Sequence, residues 1–288
     1  MNFGTVTIIG TGLIGGSIGL GLKKKGLAKR VLGVGHRKPS IDKALKMKAI
    51  DEGTTDVEAS VSQTDIVILA TSVDLIPDLA ENVIPLMKES AILTDVGSTK
   101  GYIVSQINKY VKDKRGKNNL NFIGAHPLAG SEQRGIESAR PDLFEDSVCV
   151  LTPTDLSPKK CVEKIANMWK ALGAEISILK PHVHDEIVAF TSHLPHLIAS
   201  GLTNVVEEKH WKFGANGLRD TTRIASGDPK LWLSICKQNR VKIIEALRCF
   251  SEEIGSMLRD MEEENDNEIL NKLKSAKTLR DKKRWKEE

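Results

Sequence analysis

The segment Ile9-Gly-Thr-Gly-Leu-Ile-Gly-Gly-Ser-Ile-Gly19 decides how the N-terminal half folds. Gly10, Gly12 and Gly15 make the pattern G-x-G-x-x-G. Alone the pattern is weak. Here it follows an apolar, β-branched run at residues 6–9 and opens a helix-like stretch at 14–25. That context makes it specific for a dinucleotide. Gly10 permits the tight turn, Gly12 lets the backbone approach a pyrophosphate, and Gly15 lets the helix pack close on the strand. The helix N-terminus offers free N–H groups and a positive dipole end to the phosphates. The expected contacts are Gly10, Thr11, Gly12, Leu13, Ile14 and Gly15.

Working outward, short β-branched runs recur at 31–34, 66–70, 92–96, 122–125 and 148–151, with helix-like stretches between many of them, such as 75–87. Strand–helix alternation predicts a mainly parallel sheet covered by helices. Ser157 is a candidate cap for a helix with Pro158 at its first position and Gly173 past its end, before a last strand at 174–179. After about Pro181 apolar residues recur only at helical spacing. The fold class is α/β, with a dinucleotide-binding domain over 1–181 and an all-helical substrate and dimerisation domain over 182–288. The helical part is apolar on more than one face, which predicts a homodimer. The charged tail from Glu262 onward reads as a solvated or frayed helix.

The end of the second strand bears on the cofactor. An acid there usually bonds the ribose 2′-hydroxyl of NAD. This chain reads Gly33-Val-Gly-His-Arg-Lys-Pro-Ser40, with no acid until Asp42. His36 and Arg37, with Lys38, stand there instead, and a guanidinium pairs with a 2′-phosphate through two hydrogen bonds. The expectation is NAD(P), with NADP favoured. Thr71 and Ser72, after the strand at 66–70, are expected to line it. A nicotinamide cofactor implies hydride transfer.

The whole chain narrows the partners. It has 288 residues, 42 basic and 38 acidic, for a net charge of +4. So small an excess predicts no nucleic-acid or membrane partner. Its 4 cysteines form no C-x-x-C and stand at no zinc spacing, so no metal is expected and the thiols are read as reduced in a cytoplasmic protein. No secretory leader and no apolar stretch of bilayer-spanning length is read.

In open parallel sheets ligands lie beyond the carboxyl ends of the strands. Thr94-Asp-Val-Gly-Ser-Thr-Lys100 follows one strand and Gly124-Ala-His-Pro127 ends the next, which places Ser98 and His126 on one rim. A neutral imidazole accepts a proton near pH 7, and Pro127 restricts His126 to extended geometry. Further along, Thr191-Ser-His-Leu-Pro-His196 puts Ser192 and His196 on one helical face, with Pro195 expected to kink that helix. Leu218-Arg-Asp-Thr-Thr-Arg-Ile-Ala-Ser-Gly-Asp-Pro-Lys-Leu-Trp232 adds Arg223, a bidentate carboxylate binder in a small, apolar setting.

These stretches, in this order from Gly10 to Trp232, resemble the prephenate/arogenate dehydrogenase family of tyrosine biosynthesis. The glycine motif is shared by many dehydrogenases, whereas "GAHPLAGSE" with "SHLPH" and the later Arg and Trp is much more specific. The resemblance implies NAD(P)-dependent oxidative decarboxylation of prephenate or arogenate. It implies that His126 polarises or deprotonates the substrate 4-hydroxyl, that Ser98 orients His126 and the hydroxyl, and that His196 and Arg223 hold the substrate. It further implies Glu132 at the pocket entrance, Ser192 beside the substrate, and Trp232 reaching the site across the dimer. Prephenate is favoured over arogenate, or over both together, because His196 suits the keto-acid side chain. Another Rossmann-type hydroxyacid or imine oxidoreductase is the remote alternative. Neither end offers enough helical sequence for a fused chorismate mutase.

Overall fold

The computed structural model describes residues 1–113, 121–130, 133 and 135–282. Glu132 lies outside the described residues. The first part runs β1 (Thr5–Ile9), α1 (Leu13–Lys24), β2 (Arg30–Val34), α2 (Lys38–Lys46), β3 (Glu52–Thr54), α3 (Val57–Val61), β4 (Ile66–Leu69), α4 (Ile76–Val83), β5 (Ile92–Asp95) and α5 (Gly101–Asp113). β6 (Asn121–Pro127), β7 (Val148–Thr152), α6 (Lys159–Leu172) and β8 (Glu175–Ile178) complete an eight-stranded sheet of order β3-β2-β1-β4-β5-β6-β7-β8. All pairings are parallel except β6 with β7. The chain reverses direction across the sheet between β1 and β4, the crevice where such sheets take their ligands.

Central strands are apolar on both sides because both faces are covered. Ile8 and Ile68 belong to one core with Ile18, Leu22, Phe144 and Trp169. Ile9 and Leu69 belong to the other, with Leu93, Ile103, Phe122 and Ile235. Each such side chain contributes roughly 1.5–3 kcal/mol by leaving water.

Two sequence readings shift. The edge strand β3 was not foreseen: Glu-Gly-Thr is short and polar, and its pairing with β2 rather than its own pattern makes it a strand. Ser157 does not cap α6. Its hydroxyl donates to the Phe122 carbonyl and accepts from the Thr154 N–H, and Pro158 takes the cap position. Gly173 ends that helix with φ 111°, as the left-handed stop requires.

Beyond β8 the described residues are helical: α7 (Pro181–Val188), α8 (Leu194–Val205), α9 (Asn216–Thr222), α10 (Pro229–Gln238), α11 (Arg240–Glu262) and α12 (Asp266–Lys282). A π-helical turn, Ala189–His193, joins α7 to α8. It resolves the problem set by Pro195, which lies in the first turn of α8. An extra residue in the turn absorbs the backbone mismatch. By contacts the chain forms two compact units, Met1–Arg240 and Val241–Glu288. Within the second, Lys272 Nζ donates to Ser256 Oγ at 2.6 Å and pairs with Asp260, stapling α12 to α11. α12 buries none of its residues. No described helix is long and apolar enough to cross a membrane.

Candidate functional site

The glycine turn fits a dinucleotide. Gly10 has φ 102°, and a Cβ there would lie 2.4 Å from the Ala70 carbonyl oxygen. A Cβ on Gly15 would lie 2.0 Å from the Gly10 carbonyl oxygen. Gly12 faces open space, with nothing within 4 Å of an added Cβ. α1 has no side-chain cap and no acid in its first turn, so its leading N–H groups and dipole end stay available to an anion. Thr71 and Ser72 follow β4 on the same crevice. Gly35, His36 and Arg37 follow β2, and both His36 and Arg37 are exposed. Arg37 caps α2 in extended conformation, and that helix start also lacks a side-chain cap and an acid.

His126 sits at the end of β6 and keeps some surface toward solvent. Its Nδ1 lies 2.8 Å from His184 Nε2, and His184 Nδ1 lies 2.8 Å from Asp185 Oδ1. Asp185 also accepts the backbone N–H groups of Lys100 at 2.7 Å and Gly101 at 2.8 Å. Gly101 is needed there, because a Cβ would stand 2.7 Å from Asp185 Oδ2. The chain of bonds fixes the tautomers. A carboxylate only accepts, so His184 carries its proton on Nδ1. Its Nε2 then accepts from His126 Nδ1, which leaves the His126 Nε2 lone pair free. Burial pushes His126 well below the usual imidazole range, with the nearby positive potential of His184, Lys100 and His193 acting the same way. Burial lowers His184 too, against the opposing pull of Asp185. The pair is neutral at pH 7, with the His126 Nε2 lone pair able to accept a proton.

A second cluster adjoins the first. Asn239 Nδ2 donates to the Asp185 carbonyl at 2.7 Å and to His193 Nδ1 at 3.2 Å. His193 Nε2 is buried without a hydrogen-bond partner among the described residues. Its ring meets Trp232 edge-on, and His196 stacks on Trp232 with centroids 3.5 Å apart. Gly227 makes room for that stack, since a Cβ would lie 2.6 Å from Trp232 Nε1. Trp232 therefore packs on His196 of its own chain.

The remaining sequence candidates lie apart from this network. Ser98 is partly buried on the rim, but His126 is oriented by His184, not by Ser98, and among the described residues Ser98 makes no hydrogen bond. Ser192 is exposed while His196 is buried, because the π-helical turn adds a residue and breaks the shared face. Arg223 lines a cleft of about 560 Å³ with Trp211, Leu218, Arg219 and Thr222. Sequence reasoning missed His184 and Asp185 as site residues. Their only signal is an adjacent His-Asp pair near a helix start.

Buried neutral histidines make the fold acid-sensitive. Burial holds His193 down at about 4, while its unfolded value stays near 6.5. Below pH 6.5 the unfolded chain therefore binds more protons, and stability falls as pH falls toward 4. His193 alone costs about 2 kcal/mol between pH 7 and pH 5. Calorimetry should show Tm dropping over this window, and a His193→Gln protein should lose less. An equal loss in both proteins rules out His193 as the cause.

Comparisons with known proteins agree with this geometry. The nucleotide-binding domain model of prephenate dehydrogenase matches residues 18–178, and the prephenate dehydrogenase dimerization domain model matches 180–275. A prephenate dehydrogenase of Bacillus subtilis is 32% identical over 96% of this chain and 75% of its own length. The crystal structure of A. aeolicus prephenate dehydrogenase, in complex with hydroxyphenyl propionate and NAD+, superposes with TM-score 0.88 at 30% identity, covering 97% of this chain and 98% of that one. Synechocystis arogenate dehydrogenase gives TM-score 0.81 at 27% identity, over 96% and 99% of the two chains.

Proposed function

Because the chain belongs to the prephenate dehydrogenase family, we propose that it catalyses the NAD(P)-dependent oxidative decarboxylation of prephenate to 4-hydroxyphenylpyruvate. The observation that carries this reading is the His126–His184–Asp185 chain at the carboxyl edge of the sheet, the same edge at which the glycine turn follows β1. When bound, the nicotinamide supplies the hydride acceptor. Gly10, Thr11, Gly12, Leu13, Ile14 and Gly15 hold its pyrophosphate, and Thr71 and Ser72 line its path. As the ring carbon loses hydride, its hydroxyl becomes a carbonyl and the hydroxyl proton passes to His126 Nε2. His184 and Asp185 steady the imidazolium that results. Loss of carbon dioxide then leaves an aromatic phenolate, which takes the proton back from His126 Nε2, so no further protein group is needed to drive it. In this reading His196 and Arg223 hold the substrate's side chain and carboxylate, Ser98 meets the ring hydroxyl, and Ser192 and Trp232 border the pocket. The cofactor part ends at 181, the helical part dimerises, and the enzyme works in the reducing cytoplasm. Initial rates with prephenate and arogenate, each with NAD and NADP, test it. Prephenate is expected to be the better substrate, and silence with both sinks the assignment.

NADP is the expected cofactor preference. What supports this is Arg37 beside an uncapped helix start and the absence of an acid after β2. Hydrogen bonds to a charged group contribute roughly 1.5–3 kcal/mol, so Arg37→Ser should lower kcat/KM for NADP roughly 10- to 100-fold. NAD kinetics should hardly change. A parent enzyme with a higher specificity constant for NAD overturns the preference.

A further inference from the structure

Asp95 and Lys100 have no role in the steps above, yet both side chains are fully buried (0%) and ion-paired beneath the site. A buried ion pair is poor evidence for stability, since desolvation offsets its attraction. Its placement is informative instead. Parallel pairing of β5 with β6 stops at Thr94 opposite Ile123. The next link to β6 is Asp95 Oδ1, which accepts the Ala125 N–H at 3.2 Å, one residue before His126. Asp95 Oδ2 takes the Gly97 N–H at 2.9 Å and Lys100 Nζ. The Lys100 stem runs under Gly124, where an added Cβ would lie 3.6 Å from Lys100 Cδ and 2.5 Å from Thr152 Oγ1. The Lys100 backbone N–H then donates to Asp185 Oδ1, the same oxygen that receives His184. One ion pair thus touches both ends of the imidazole chain: the strand end that carries His126 and the carboxylate that orients His184.

We infer that Asp95 and Lys100 are a positioning pair for His126, holding the end of β6 and the Asp185 carboxylate in the register that seats His126 Nδ1 on His184 Nε2. The inference rests on the role given to His126 above. It also has an electrostatic side. The groups facing His126 are His184 and Asp185 from α7, His193 from the π-helical turn, and Asp95 and Lys100 below. Of these, Lys100 helps keep His126 unprotonated.

Removing one partner alone strands a buried charge. The test therefore uses charge-free pairs in the full chain, D95L/K100M and D95N/K100M. The leucine variant deletes the acceptor for Ala125, and the asparagine variant keeps it. With cofactor affinity and KM near parental, D95L/K100M should lose roughly 10²-fold in kcat, the penalty for misplacing a catalytic group by about 1 Å. D95N/K100M should recover about tenfold of that loss. Histidine nitrogen chemical shifts should show a single His126 tautomer in the parent and an averaged one in D95L/K100M. Parental kcat and parental shifts in D95L/K100M overturn the inference. If that variant does not fold, D95N/K100M decides: a kcat roughly tenfold below parental with an averaged His126 tautomer supports the pair's role, and parental kcat with a single tautomer overturns it. If the parent turns over neither prephenate nor arogenate, the functional reading fails, and the nitrogen shifts still decide the positioning.

Discussion

His126→Asn should lower kcat by roughly 10²- to 10⁴-fold, the usual contribution of a positioned general base. The substitution is chosen for what it keeps. Asparagine Nδ2 falls near the position of His126 Nδ1, so it can still donate to His184 Nε2, now 2.8 Å from that nitrogen. The strand end stays tied, and no buried acceptor is orphaned. What disappears is the Nε2 lone pair. Substrate KM and cofactor affinity should therefore stay close to parental while turnover collapses. The pH profile gives a second readout. Because burial holds His126 well below the ordinary imidazole value, the parental kcat should stay flat from pH 8 to below 6.5 and fall only at lower pH. That limb should vanish in the variant. A His126→Asn protein that binds substrate and turns over within about tenfold of the parent removes His126 from the chemistry.

How much of this was legible in the sequence follows from how local each signal is. The glycine turn was readable because three glycines have fixed spacing between a strand and a helix; Gly10 and Gly15 are forced by backbone oxygens that a Cβ would meet, and Gly12 keeps the space open. His126 was readable as the residue at a strand end before a proline. The sheet could be read strand by strand except for β3, whose three residues become a strand only through β2. The partners of His126 were not legible. His184 and Asp185 lie 58 and 59 positions downstream, on a helix after β8, and meet the site only when α7 packs beside the start of α5. Spacing along the chain carries no record of such a contact. Lys100 stands within a motif, but its burial beside Asp95 is a tertiary outcome that its spacing does not record. The π-helical turn was half legible. Pro195 announced a distortion, while its form, an inserted residue that turns Ser192 outward, is a tertiary outcome.

Asp185→Asn should cost at least roughly 10²-fold in kcat, by a route that leaves His126 in place. Asp185 accepts three N–H groups, from His184, Lys100 and Gly101. An asparagine has one accepting oxygen. One orientation sets the amide nitrogen against the Gly101 N–H and keeps the parental tautomer. In the other, with the oxygen kept on the Gly101 N–H, the amide nitrogen takes the place of Oδ1, which accepts both His184 and the Lys100 N–H. The Lys100 N–H leads into α5 and loses its acceptor, whereas the ring adapts by moving its proton from Nδ1 to Nε2 and accepting from the new amide. His184 Nε2–H then points at His126 Nδ1, which must become an acceptor. His126 in turn carries its proton on Nε2, where the substrate hydroxyl needs a lone pair. The base is still present but in the wrong tautomer, the same failure by which an acid-to-amide change disables a serine protease. Losing one buried hydrogen bond to the α5 backbone should also cost about 1–3 kcal/mol, seen as a lower Tm in calorimetry. Histidine nitrogen shifts separate the two effects, since a purely structural loss would lower Tm and leave the His126 tautomer unchanged. A folded Asp185→Asn enzyme with parental kcat and a parental tautomer refutes the predicted tautomer switch, whereas parental kcat with a switched tautomer would show that the imidazole chain orients nothing that the reaction uses.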